Sequence, residues 1–187
     1  VGGFVGSSAD EAAWLEPQIT KWVESVTTLS RIACRYPQTA YAGLAHSLQA
    51  EWQYVQRVTP NIHLAFAPLE LAIAQTFIPA LLNCTIEEAA HLRPLIALPV
   101  RHGGFGILDP TKTSDHCYSA STAITSLLTD SLIHGNPLCA MEHRRTAAIG
   151  RLNAKNHLLT THDDNLSTIL ANAKPMDERR IKRSAKT

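Results

Sequence analysis

The chain has 187 residues, 45% of them apolar, and a net charge of +1. That is enough for one domain with a real core, or for a domain plus an appendage. The composition excludes an uninterrupted apolar run of about 18 residues, so no membrane span is expected, and residues 1–8 lack the charged and apolar regions of a signal peptide. The first residue is Val1, and the chain reads as a piece of a longer polyprotein. Its small net charge conceals a split. Residues 1–140 carry 7 Lys+Arg against 11 Asp+Glu, whereas residues 141–187 carry 10 against 5. The basic end, Lys174 to Lys186, is either a nucleic-acid tail or a solvated one.

Residues 1–6 alternate glycine with apolar residues and suit a strand end or tight loop. A long helix is predicted from about Ser8, because Ile19, Trp22, Val23, Val26, Leu29 and Ile32 fall on one helical face. Pro17 marks its first turn or a kink, and Tyr36-Pro37 stops it. A second helix spans 38–58, with Tyr41, Leu44, Ala45, Leu48, Trp52 and Val55 on its apolar face. A third spans 66–82, with Phe66, Leu69, Ile73, Phe77, Ile78 and Leu81 able to bury together. Thr85-x-x-Glu88 is a capping-box signature that opens a fourth helix. Pro94 should bend or shorten it, and it ends before Pro99.

A glycine-rich loop near 99–113 then interrupts the helices. Three glycines in four positions (Gly103, Gly104, Gly106) allow positive φ and close backbone approach, and Arg101 and His102 put positive charge at that bend. Ser114 or Asp115 is expected to cap a fifth helix reaching about His134, stopped by Gly135-Asn136-Pro137. A sixth helix covers about 138–157, and Asp163 or Asp164 caps a seventh ending near Ala173. The fold class is therefore all-α: a bundle of about six to seven helices, with a short extended N-terminal segment and the glycine-rich loop. Two units are expected: a helical domain at 1–134 and a basic helical extension at 135–187, its tail open between order and disorder.

Catalytic patterns are sparse. There is no Gly-x-Ser-x-Gly elbow, His-Glu-x-x-His, Walker loop or dinucleotide fingerprint. His102-Gly103-Gly104 has the form of a lipase-type oxyanion loop but lacks an elbow to serve. Cys34, Cys84, Cys117 and Cys139 are spaced as free thiols of a reducing compartment. His134-x4-Cys139-x3-His143 is the sharper alternative, part of a metal site without a clear fourth ligand. The pair Asp163-Asp164 could hold divalent metals, but before an apolar helix it reads as a cap. Trp22 sits at core spacing. In Trp52-x-Tyr54-x-x-Arg57, Tyr54 and Arg57 are neighbours on one helix face, as stacking plus phosphate contact requires.

An ordered series of phrases resembles the region just after the polymerase palm in reverse transcriptases of non-LTR-type retroelements. Gly2-Gly3-Phe4-Val5-Gly6-Ser7 is similar to the segment leading out of the palm. Trp22-Val23-x-x-Val26-x-x-Leu29 and Ala33-x-x-Tyr36-Pro37-Gln38-x-Ala40-Tyr41 resemble the paired helices of the thumb. Leu48-x-x-x-Trp52-x-Tyr54-x-x-Arg57-x-x-Pro60-Asn61-Ile62, Phe77-Ile78-Pro79-Ala80-Leu81 and Leu98-Pro99-x-Arg101-x-Gly103-Gly104-x-Gly106-Ile107 continue the series, over about residues 1–135.

The resemblance implies an RNA-directed DNA polymerase as the parent, in which thumb helices grip the template–primer duplex. It implies an RNA–DNA or DNA duplex and the upstream palm and fingers as partners, no membrane, and an intracellular location in nucleus and cytoplasm. The family's metal-binding aspartates belong to an aromatic-x-Asp-Asp motif of the palm. Asp163-Asp164 lies on the wrong side of the thumb and lacks the aromatic, so no cofactor is expected in this chain and it should not polymerise alone. By local chemistry the candidates for phosphate contact are Arg31, Arg35, Arg57, Arg101 and Lys112. His102 stands beside them and Tyr54 is the candidate for stacking. The alternatives are a helical interaction or assembly module whose acidic first part meets basic partners, and a small metal-dependent hydrolase using His134, Cys139 and His143.

Overall fold

The computed structural model describes residue 4, residues 6–173 and residues 175–184, except for the side chains of 8, 9, 175, 176 and 184. Most of the expected extended segment at 1–6, and the last residues of the basic tail, lie outside the described residues. Seven helices follow one another, and among the described residues there is no strand. They are α1 (Ser8–Ala33), α2 (residues 37–58), α3 (His63–Leu82), α4 (Ile86–Ala97), α5 (Pro110–His134), α6 (Ala140–Asn172) and α7 (Pro175–Ser184). The chain is all-α, as its periodicity predicts.

Ser7 caps α1, its hydroxyl accepting from the Asp10 N–H at 3.4 Å, and Asp10 and Glu11 in the first turn suit the helix dipole. Pro17 lies well inside α1, beyond the first turn. The buried stripe of α1 is Leu15, Ile19, Trp22 and Val26, continued by Ser30 and Ala33. Ile32 falls off that stripe and is exposed, because the last turn meets α2 through small residues. Leu48, Trp52 and Val55 of α2 and Phe66, Leu69, Ile73 and Phe77 of α3 complete the core. Trp22 stacks on Phe66 with ring centroids 6.1 Å apart, meets Trp52 edge-on at 6.3 Å and donates its Nε1–H to Glu51 at 3.0 Å. Trp52 is fully buried, which makes it a packing residue and not a base platform.

Both α2 and α3 contain a widened π-helical turn, at Leu44–Leu48 and Ile73–Phe77. The Gln49 N–H reaches back to the Leu44 carbonyl, and the Ile78 N–H to that of Ile73. Such a turn rotates the following side chains relative to a regular helix, which keeps the apolar rows of these helices on the core. By length and composition α3 could cross a membrane, with a mean hydropathy of 1.5. Here Phe66, Leu69, Ile73, Phe77 and Ile78 are buried against the other helices, Glu70 is ion-paired, and Leu64 and Leu71 are exposed.

The capping box of α4 is complete: the Glu88 N–H donates to Thr85 Oγ1 (3.2 Å) and the Thr85 N–H to Glu88 Oε2 (2.9 Å). Two expected boundaries are corrected. First, α5 starts at Pro110, so neither Ser114 nor Asp115 caps it and the loop ends at 109 rather than 113. Asp109 is the cap, its Oδ1 accepting from the Thr111 N–H at 3.0 Å and from the Thr111 hydroxyl at 2.6 Å. An Asp-Pro pair is itself a cap followed by a pre-set first residue. Ser114 is buried one turn further on, and Asp115 lies 3.4 Å from His63 Nδ1.

Second, the expected sixth and seventh helices are one helix, α6, of 33 residues. Neither Gly nor Pro occurs between His157 and Asp164, so nothing breaks the hydrogen-bond ladder. Asp163 and Asp164 are therefore interior and cap nothing. Their carbonyls accept from the Ser167 and Thr168 hydroxyls.

The first four helices enclose the core. Helix α5 packs across α2 and the start of α3, and α6 runs back along the outer side of α5 and reaches α4. Gly135, with φ 65°, makes the turn between α5 and α6. Gly150 allows their close approach, since a Cβ there would stand 3.1 Å from Ile124 Cγ1.

One guanidinium ties three of these elements together. Arg93 on α4 forms a two-pronged pair with Glu70 on α3, both bonds 2.7 Å, and donates to the carbonyls of Ile107 (2.7 Å) and Leu108 (3.1 Å). Burial pushes the Glu70 carboxyl up from its ordinary value, against the opposing pull of Arg93. Removing only the cation leaves an uncompensated, mostly buried carboxylate. Arg93→Met is expected to cost about 3–5 kcal/mol in denaturant unfolding, and the double substitution Arg93→Met with Glu70→Met less than that. Equal costs would rule out charge burial as the cause.

Candidate nucleic-acid interface

The glycine-rich segment folds because α4 ends with carbonyls that need partners. Pro99 forbids further helix, and a short 3-10 turn at Val100–His102 reverses the chain. Gly103 (φ 79°) and Gly106 (φ 67°) take left-handed conformations. The Phe105 and Ile107 N–H groups then donate to the Ile96 carbonyl, at 3.2 and 3.3 Å, and the Gly106 N–H to that of Leu98 at 2.8 Å. Gly104 is required on steric grounds, since a Cβ there would lie 2.0 Å from the Leu98 oxygen and 2.4 Å from that of Leu95.

Helix α2 holds the far side of this loop. Gln49 receives the Leu108 N–H on its Oε1 (3.0 Å) and donates its Nε2–H to the Gly106 carbonyl (3.1 Å). Gln56, fully buried, donates to the Pro110 carbonyl at 2.7 Å. The Tyr41 hydroxyl donates to Phe105 O at 2.7 Å.

The clamped loop, with α2, α4, α5 and α6, borders a cleft of about 450 Å³. Arg57 enters it from α2, Lys112 and His116 from α5, and His157 and His162 from α6, above apolar walls that include Leu98 and Leu108. Asp109 is the one carboxylate among the lining residues, and Lys112 Nζ lies 3.4 Å from its Oδ2. Arg57 has no carboxylate partner among the described residues. The rings of His116 and His157 meet edge-to-face, centroids 4.6 Å apart.

Arg101 and His102 reach α6 at the edge of this cleft. Arg101 Nη2 is 3.3 Å from His162 Nδ1, and His102 Nε2 is 3.2 Å from Asp163 Oδ1. Asp163 is thus a partner of the loop. Burial, and then His157, hold His116 below its ordinary value. Burial, Arg101 and His102 do the same to His162, with Asp163 opposing.

Of the residues singled out by sequence, Arg57 and Lys112 meet in the cleft, and Arg101 and His102 stand beside it. Tyr54 is exposed one turn before Arg57 but does not line the cleft. Arg31 and Arg35 lie apart, exposed at the end of α1, where the Arg35 guanidinium sits 5.4 Å from the centre of the Tyr36 ring. Sequence reasoning missed His116, His157 and His162, which are scattered along the chain and meet only because α6 folds back on α5.

The four cysteines are free. Among the described residues no three His, Cys, Asp or Glu side chains gather as metal ligands. His134, one of the proposed ligands, instead lies 3.6 Å from Asp130.

No protein-family model, curated protein or solved structure matches this chain.

Gly104→Ala is expected to destabilise the fold by at least about 1–3 kcal/mol, through forced backbone movement, read as a lowered thermal midpoint. The depressed His116 and His162 also set a pH dependence. The unfolded chain takes up protons near the ordinary value of 6.5, whereas the folded chain resists. Their contribution is therefore complete above that pH and is lost as pH falls through the lower, folded values. Thermal melts should show stability declining from pH 7.5 to 5.5, and the His116→Gln, His162→Gln variant should show a shallower decline.

Proposed function

We propose that the chain is the thumb and C-terminal helical region of a non-LTR-type reverse transcriptase, and that it holds the template–primer duplex. The observation that carries this reading is the convergence of Arg57, Lys112 and Arg101 around one cleft, two of them within the family-like phrases. Arg57 lies within the Leu48-to-Ile62 phrase, in the last turn of α2, and Arg101 belongs to the Leu98-to-Ile107 phrase. The all-α architecture agrees with a thumb. The sequence has no aromatic-x-Asp-Asp motif, and Asp163 and Asp164 lie inside α6, so polymerisation is assigned to a palm and fingers upstream.

Phosphate neutralisation by lysine and arginine releases counterions, so affinity should fall steeply with salt. Filter binding of the chain to an RNA–DNA duplex across a salt series tests the reading. Binding at low salt is expected, with a negative slope of log affinity on log salt that becomes shallower by about 1 to 2 in the Arg57→Gln, Lys112→Gln variant. Absence of binding at low salt, or binding indifferent to salt, would overturn it.

A second reading, a helical assembly module, draws on Leu132, Ile133 and Met141. These side chains are at least 70% exposed around the turn between α5 and α6. It predicts oligomers in light scattering and no response to nucleic acid.

A further inference from the structure

A double helix would meet this molecule as a convex cylinder, touching cations that stand out from the surface. The groups between α2, α5 and α6 offer such cations in Arg57 and Lys112, both exposed, and a hollow besides. They surround a concavity of about 450 Å³, within the roughly 300–1,000 Å³ range of small-molecule sites. Its walls divide by chemistry. Arg57 on α2 and Lys112 on α5 both line it, while Leu98, Leu108 and Leu158 supply apolar surface. His116 and His157 contribute two rings at 88° to each other, so that a planar group entering the cleft can lie flat on one and meet the edge of the other. Asn165 adds an amide, which can both donate and accept.

A site for a bare anion needs cations and backbone donors but no apolar wall. A site for an apolar ligand needs no unpaired guanidinium. An unstacked nucleotide needs both, a cation at its phosphate and rings at its base.

We infer that this cleft is a seat for one unstacked nucleotide, its phosphate held by Arg57 and Lys112 and its base lodged against the imidazoles of His116 and His157 and the leucine wall. The inference rests on the nucleic-acid reading above and deepens it. The duplex is gripped from outside, and a single displaced or overhanging residue enters the cleft. Arg57 is free of a competing carboxylate, and Lys112 shares Asp109, which already accepts from both the N–H and the hydroxyl of Thr111. The Arg101–His162 contact closes one edge of the cleft, so the seat depends on the glycine-rich loop staying clamped.

The test follows the imidazole resonances of His116 and His157 by NMR while the full chain is titrated with adenosine 5′-monophosphate, uridine 5′-monophosphate, adenosine or inorganic phosphate. Both nucleotides are expected to shift these resonances saturably, and adenosine and inorganic phosphate to do so at least about tenfold more weakly. That is the scale expected when a charge-assisted bond or a stacked ring is lost. Arg57→Gln with Lys112→Gln, at exposed positions where folding is checked by circular dichroism, should weaken the nucleotides by about tenfold or more. Arg31→Gln with Arg35→Gln should leave them unchanged.

Silence of both imidazoles to nucleotides, equal response to inorganic phosphate, or indifference to the Arg57 and Lys112 substitutions would overturn the seat. Duplex retention in the filter assay with a silent cleft would remove the seat and leave the duplex reading standing. A responsive cleft without duplex retention would support the seat and remove the duplex reading.

Discussion

The largely buried guanidinium of Arg93 is the joint on which the arrangement depends. Helix α4 has only a short apolar face, with Ala89 and Ile96 as its buried residues, too little to fix its direction by packing alone. Arg93 fixes it by charge, in one direction to Glu70 of α3 and in the other to two carbonyls of the loop. A planar, five-donor cation is suited to this double task, because the fork that grips a carboxylate leaves further N–H groups for the backbone. Desolvating such a pair is costly, so its value lies in orientation more than in net stability. It sets where the chain leaves α4, and so where the glycine-rich loop and α5 begin.

From that joint the cleft follows in order. The loop is bonded back onto α4 through Ile96 and Leu98 and onto α2 through Gln49 and Tyr41. Its far end, at Asp109, caps α5. With the start of α5 set, Lys112 and His116 join Arg57 in lining the cleft. Helix α6, with Ala147 as its one buried residue among those described, cannot find its place by a core of its own. It is held along α5 through the Gly150 contact and along the loop through Arg101 and His102. Cationic groups at the bend thereby act on the protein's own helix and also shape the electrostatics of the cleft that α6 completes.

Much of the fold was legible in the chain. The spacing of Ile19, Trp22 and Val26 marked the buried stripe of α1, and the Thr85–Glu88 box marked the start of α4, because each is a local pattern with one physical solution. The start of α5 and the extent of α6 escape local reading for opposite reasons. At Asp109-Pro110 a proline that reads as a loop residue is the first residue of a helix. At Asp163-Asp164 two good capping residues lay inside a helix that had no breaker to end it. The residues that clamp the loop left no signal at all. Gln49, Gln56 and Arg93 look like surface polar residues until the backbone groups they satisfy are brought to them from more than ten residues away.

Local sequence is enough to make the chain helical, to place most of its helices, to mark a tight bend at its glycines and to gather positive charge toward one end. Those properties depend on neighbours three or four residues apart, where periodicity, caps and steric limits act. Which cations meet depends on tertiary packing. It brought Arg57 and Lys112 to one cleft, drew three scattered histidines into it and left Arg31 and Arg35 apart. Such meetings depend on which buried polar groups must be paired and on how closely backbones can approach at Gly104 and Gly150, conditions that exist only once distant segments share one interior.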